Sequence, residues 1–86
     1  MTLYVLYKNP IQPNTRKAVS YLAGLGYNVH PTIIVERNYP SWVTQVPSIE
    51  TGTGDRFVGW DRCLQFWERE TGVWGLHEKL ARAADV

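Results

Sequence analysis

The chain has 86 residues, of which 44% are hydrophobic, and its nine basic and eight acidic residues give a formal net charge of +1. This length predicts one domain over residues 1–86 with a small core. The balanced charge gives no reason to expect a nucleic acid or an anionic membrane as partner, and the single cysteine, Cys63, excludes a disulfide or a CxxC motif within the chain.

The first part of the chain predicts a strand, a helix and a second strand. Residues 3–7 are apolar and aromatic without polar alternation, which is typical of a central strand. A helix is predicted from Pro13, whose fixed φ suits a first helical position, to about Leu25. Within residues 27–35, the β-branched run 32–35 predicts a strand, and Pro31 places it at a sheet edge. The length of the connection predicts a parallel pair with a right-handed crossover.

The second part predicts a hairpin and two helices. Residues 36–45 are polar and leave room for at most one or two helical turns at 41–45. Strands are predicted at 46–51 and 56–58, joined by the Gly- and Asp-containing turn 52–55. An apolar stripe predicts a helix from Trp60 to Gly72, and a weaker helix follows at 75–84 with Leu76 and Leu80 facing inward.

No targeting or metal-binding pattern is found. The segment before Lys8 has neither a basic lead nor a cleavage site, and no apolar run approaches the ~18 residues of a membrane span, so we expect a soluble, cytoplasmic monomer. His30 and His77 lie far apart without metal-ligand spacing, so no metal is expected.

Three short motifs, in order, resemble the glutaredoxin family. Residues 7–15 (YKNPIQPNT) resemble its Tyr-x-Lys-x-x-Cys-Pro-Tyr-Cys segment, residues 44–47 (TQVP) its Thr-Val-Pro segment, and residues 58–61 (VGWD) its Gly-Gly-x-Asp turn. The resemblance covers about residues 2–72. It implies an α/β, thioredoxin-like (glutaredoxin-type) fold: a β-α-β-β-β-α core with a four-stranded mixed sheet and a short C-terminal helix.

Both cysteines of the family motif are replaced in this chain. By this resemblance, Gln12 stands at the nucleophilic position and Thr15 at the resolving position. An amide cannot form the thiolate that disulfide exchange requires, and a threonine hydroxyl needs a neighbouring base to attack. We therefore predict no catalytic residue and no enzyme activity, with Cys63 either a buried inert thiol or, alternatively, an exposed reactive one.

The resemblance also implies ligand contacts around a cis Val46–Pro47 bond, although an ordinary strand start also accommodates proline. Asp61 either caps the last core helix or holds the amino group of a glutathione-like ligand. Trp60 is either a partly exposed anchor beside the former substrate groove or a plug that fills it. Lys8 and Arg16 flank the first loop and can receive a carboxylate, although exposed cations are usually only solvated.

The leading hypothesis is a redox-inactive module that binds an unknown protein partner; relatives that keep a fold only for binding occur in bacteriophage genomes. The predicted binding surface comprises Ile11, Gln12, Val46, Pro47, Trp60 and Asp61. One alternative is a glutaredoxin-like oxidoreductase or electron donor for ribonucleotide reductase that acts through Cys63. The other is a non-covalent glutathione or peptide binder, for which affinity is expected to be weak because Asn14 replaces the motif's tyrosine and the connection before Val46 is short. No cofactor is otherwise expected.

Overall fold

The structure, a computed structural model, describes residues 3–83 as a four-stranded sheet with three helices. The elements in chain order are β1 (Tyr4–Tyr7), α1 (Asn14–Gly24), β2 (Ile33–Val35), β3 (Ser48–Thr51), β4 (Arg56–Val58), α2 (Trp60–Thr71) and α3 (Leu76–Ala83). The predicted α/β class and the order of elements are confirmed.

The sheet is mixed and has the strand order β2-β1-β3-β4. Strand β1 pairs in parallel with β2 and antiparallel with β3, and β3 forms an antiparallel hairpin with β4. The predictions of an internal first strand, an edge position for the second strand and a hairpin are therefore confirmed.

The hydrophobic core lies on one face of the sheet, where all three helices pack. Tyr4, Leu6 and Ile49 point to this face, because side chains alternate along a strand and Leu6 is in register with Ile49. Buried residues of α1, α2 and α3 complete the same cluster. At its centre the Tyr4 hydroxyl donates to the Val29 carbonyl and accepts a hydrogen bond of 3.1 Å from Trp67 Nε1.

Part of the opposite face is covered by an irregular segment, residues 36–47, that contains no helix. A turn closed by Val43 N–H donating to the Pro40 carbonyl at 3.0 Å takes the place of the helical turns for which the sequence left room. The Trp42 ring packs edge-on against Tyr7, with centroids 5.2 Å apart, and the Arg56 guanidinium lies 4.6 Å from the Trp42 ring centroid. One aromatic side chain thus shields the part of the sheet around Tyr7.

Several predicted boundaries differ from those observed. Strand β3 begins at Ser48, because Pro47 before it has no N–H for the ladder. Only residues 33–35 of the segment 27–35 are a strand, although Val29 is buried. The predicted end of the last helix, residue 84, lies outside the described residues. Within residues 3–83, none of the helices has the length and apolar character needed to span a membrane.

Candidate functional site

Three loops meet at one end of the sheet, where strands β1 and β4 finish and strand β3 begins. Tyr7, Ser48 and Val58 stand side by side in adjacent strands. The loop after β1, the loop before β3 and the residue after β4 therefore emerge next to one another, and α1 and α2 begin there. We call residues 9–12, 45–47 and 59–61 the three-loop surface; it contains all six residues of the predicted binding surface.

The first loop is held by a local turn built on Asn9. Its side-chain Oδ1 accepts from Ile11 N–H at 3.0 Å, and its carbonyl accepts from Gln12 N–H at 3.1 Å. This is the Asx-type turn that asparagine favours. Asn9 is not among the residues predicted to shape the site, although its place after a strand and before a proline is a turn signal. Because of this turn, Ile11 is held at the loop tip with 87% of its surface exposed.

The polar groups at Gln12 and Thr15 are buried. Gln12 Oε1 and Thr15 Oγ1 are both shielded from solvent, and neither has a hydrogen-bond partner among the described residues. A buried polar atom without a partner costs about 1–3 kcal/mol. The N-terminal end of α1 thus carries an amide and a hydroxyl, and neither ionises at ordinary pH.

Pro47 joins the second loop to the third. The Val46–Pro47 peptide bond is cis, as predicted. The Pro47 side chain is buried, and its carbonyl accepts from Gly59 N–H at 3.0 Å. Pro47 therefore holds the loops together, and Val46, which is half-buried, offers the side-chain surface at this point.

Gly59 begins α2 in a conformation that only glycine adopts readily. Its φ is 94° and its ψ is 163°, and a Cβ at this position would lie 2.7 Å from Gln45 Oε1. It is the N-cap residue, with no side-chain capping bond, so the interpretation of Asp61 as the cap is wrong. Asp61 lies exposed in the first turn, where the positive end of the helix dipole stabilises a carboxylate.

Trp60 stands between two grooves. One, of about 300 Å³, is lined by Gln45, Val58 and Gly59 and by residues 60–62 at the start of α2, including Asp61. The other, of about 190 Å³, lies between Trp60, Asn14 at the start of α1, and α3. The Trp60 ring packs edge-on against buried Trp67, with centroids 6.2 Å apart. Trp60 is thus anchored in the core on one side and half-exposed on the other.

Cys63 lies inside the core, one helical turn after Gly59, whose carbonyl accepts from the Cys63 N–H at 3.0 Å. Its side chain is fully buried, and its Sγ is 3.7 Å from the Phe57 carbonyl. Burial raises the pKa of this thiol to about 12, because a thiolate would lose its hydration there. At neutral pH Cys63 is therefore a protonated thiol without access to a disulfide substrate, which favours the inert alternative.

No group of three potential metal ligands occurs among residues 3–83. Comparisons with protein-family models, with curated proteins and with solved structures find no significant match. Function is therefore inferred from the geometry of the three-loop surface itself.

Proposed function

We propose that this chain is a degenerate glutaredoxin-like protein with a thioredoxin-type fold, and that it binds a protein partner through the three-loop surface without thiol redox catalysis. The order of elements, the internal parallel strand β1 and the position of the α1 N-terminus beside residues 46–47 and 59–61 support the relationship.

The side chains at the start of α1 support the absence of catalysis. A disulfide-exchange enzyme needs a thiolate at an accessible helix N-terminus, where the dipole lowers the thiol pKa. Gln12 and Thr15 have no thiol, and Cys63 is buried with a raised pKa. A hydroxyethyl disulfide assay is therefore expected to show no turnover above buffer. Turnover that disappears in Cys63→Ser would contradict this.

The observation that carries the binding role is the exposure of Ile11. A large apolar side chain that is almost fully exposed on a loop fixed by two hydrogen bonds presents a preorganised contact. Val46 and Trp60, both half-buried, lie on neighbouring loops, and polar Gln45 and Asp61 stand beside them. An apolar centre with a polar rim is the usual anatomy of a protein interface.

The experiment is a quantitative pull-down from lysate of the native host, with pairs of matched variants. Ile11→Asp and Trp60→Ala alter the three-loop surface. Leu25→Asp makes the same kind of change beyond the other end of α1, and Trp74→Ala does so beyond the C-terminal end of α2; both side chains are exposed. Circular dichroism checks that each variant is folded.

We expect one partner to be retained by wild type and by both controls, and to be depleted about tenfold or more by each surface variant, which corresponds to about 1.4 kcal/mol. A partner lost equally in the control variants, or retained in both surface variants, would contradict the proposal. An NMR titration with glutathione tests the alternative ligand: saturable shifts at Val46 and Asp61 would favour a glutathione binder, and their absence would exclude it.

A further inference from the structure

A further recess, separate from the three-loop surface, lies between α1 and the edge strand β2. It has a volume of about 210 Å³. We call it the α1–β2 groove, and define it by the apolar residues Leu6, Val19 and Ile34, the basic residues Lys8, Arg16 and His30, and the hydroxyl residue Thr15.

The floor of the α1–β2 groove is apolar. Leu6 and Val19 belong to the core cluster, and Ile34, in register with Leu6, points to the same face of the sheet. Ile34 is 52% exposed because α1 does not reach over the edge strand. An apolar ligand group on this floor would remove part of this isoleucine from water, which is favourable.

The rim of the groove is basic. Lys8 follows β1, Arg16 lies in the first turn of α1, and His30 precedes β2, so three separate segments bring a basic side chain to one recess. No acidic residue lines it in the part of the chain that the structure describes. The Lys8 side chain is only 12% exposed, and its Nζ is 3.9 Å from Glu36 Oε2, at the long limit of an ion pair. The Lys8 ammonium is thus largely desolvated, and its one ion-pair partner in the described residues is distant, so binding of an additional anion beside it is favourable.

Thr15 supplies an unused hydrogen-bonding group in the wall. The residue is 2% exposed, and Oγ1 has no partner among residues 3–83. A hydroxyl can donate to a carboxylate oxygen, and such a bond would remove the cost of burying it unpaired. The orphaned hydroxyl is therefore a second indication of a polar ligand, independent of the charge on the rim.

We propose that the α1–β2 groove binds a small carboxylate with an apolar body. The carboxylate pairs with Lys8 and Arg16 and accepts a hydrogen bond from Thr15, and the apolar body lies on Leu6, Val19 and Ile34. Two sources carry this chemistry: a free short-chain fatty acid and the C-terminal residue of a peptide. The inference does not depend on the proposed function, because its residues lie outside the three-loop surface.

The test is an NMR titration of the full chain with four probes. Hexanoate and hexanamide represent the free acid and its neutral analogue, and acetyl-leucine and acetyl-leucine amide represent a peptide C-terminus and its neutral analogue. With the two acids we expect saturable shifts of the backbone N–H signals of Val19 and Ile34. Hexanamide and acetyl-leucine amide should bind at least tenfold more weakly. The acid that binds more tightly identifies the source.

Matched variants distinguish recognition of the carboxylate charge from nonspecific hydrophobic binding of the probe. Arg16→Gln, at an exposed side chain, and Lys8→Met are each expected to weaken acid binding about tenfold. Lys17→Met removes a neighbouring α1 cation that lines the groove beside Trp60, and it should not change acid binding. Equal affinity for acid and amide, no saturable shift in the millimolar range, or an equal loss in Lys17→Met would overturn the proposal.

Discussion

Replacing Tyr4 with phenylalanine removes one buried oxygen that serves two partners. The hydroxyl donates to the Val29 carbonyl and accepts from Trp67 Nε1–H, and all three residues are at most 2% exposed, so water cannot take its place. Each orphaned partner costs about 1–3 kcal/mol, so Tyr4→Phe should lower the free energy of unfolding by about 2–6 kcal/mol. A domain of this length has a total of about 4–13 kcal/mol, so the loss is a large share of it.

Urea unfolding followed by tryptophan fluorescence and circular dichroism measures this loss. We expect a midpoint lowered by about 1 M or more, with an unchanged slope. Tyr39→Phe is the control, because it removes a hydroxyl that also serves two carbonyls, those of Lys8 and Glu36, at a half-buried position that water can reach. That variant should lose no more than about 1 kcal/mol. If Tyr4→Phe costs no more than Tyr39→Phe, the reasoning from buried partners is refuted.

Three further results are expected. Gly59→Ala should lower the free energy of unfolding by about 1–3 kcal/mol in the same urea experiment, because φ of 94° is unfavourable for alanine, whereas Gly24→Ala, on α1 with open space at its Cβ, should raise it by up to about 1 kcal/mol. Native Cys63 should not react with an aromatic disulfide reagent at neutral pH and should react after unfolding; fast reaction in the native state would show that the thiol is exposed. Burial raises the Cys63 pKa from about 9 to about 12, so the contribution of the protonated thiol to stability is complete below pH 9 and is lost as pH rises toward 12. Between pH 8 and 10, the free energy of unfolding of wild type should therefore fall by about 1.4 kcal/mol more than that of Cys63→Ala.

The order of elements could be predicted from the sequence because each element carries a local signal. Each signal comes from a few consecutive residues: the apolar run ending at Tyr7, the proline before α1 and the turn 52–55. The parallel pairing of β1 with β2 then follows from the length of the connection. Local chemistry was sufficient for these features.

The covering of the second sheet face could not be predicted in this way. It depends on Trp42 meeting Tyr7 and Arg56, which lie 35 and 14 residues away in sequence, and no periodic pattern marks such a contact. Nor does a composition signal show that the hydroxyl of Thr15 is buried without a partner. The α1–β2 groove is only partly visible in the sequence: Lys8 and Arg16 flank one loop, but His30 joins them only after β2 pairs with β1.

The most direct measurement uses the double variant Gln12→Cys/Thr15→Cys in a Cys63→Ala background, so that the only thiols are those introduced. Residues three apart at a helix start lie ~5–6 Å from each other, within disulfide reach. The account predicts that the pair oxidises to a disulfide and that the thiol at position 12, measured by alkylation rate against pH, has a pKa below the ordinary ~8.5. A thiol with an unshifted or raised pKa that forms no disulfide with position 15 would contradict the claim that this helix start is a former redox site.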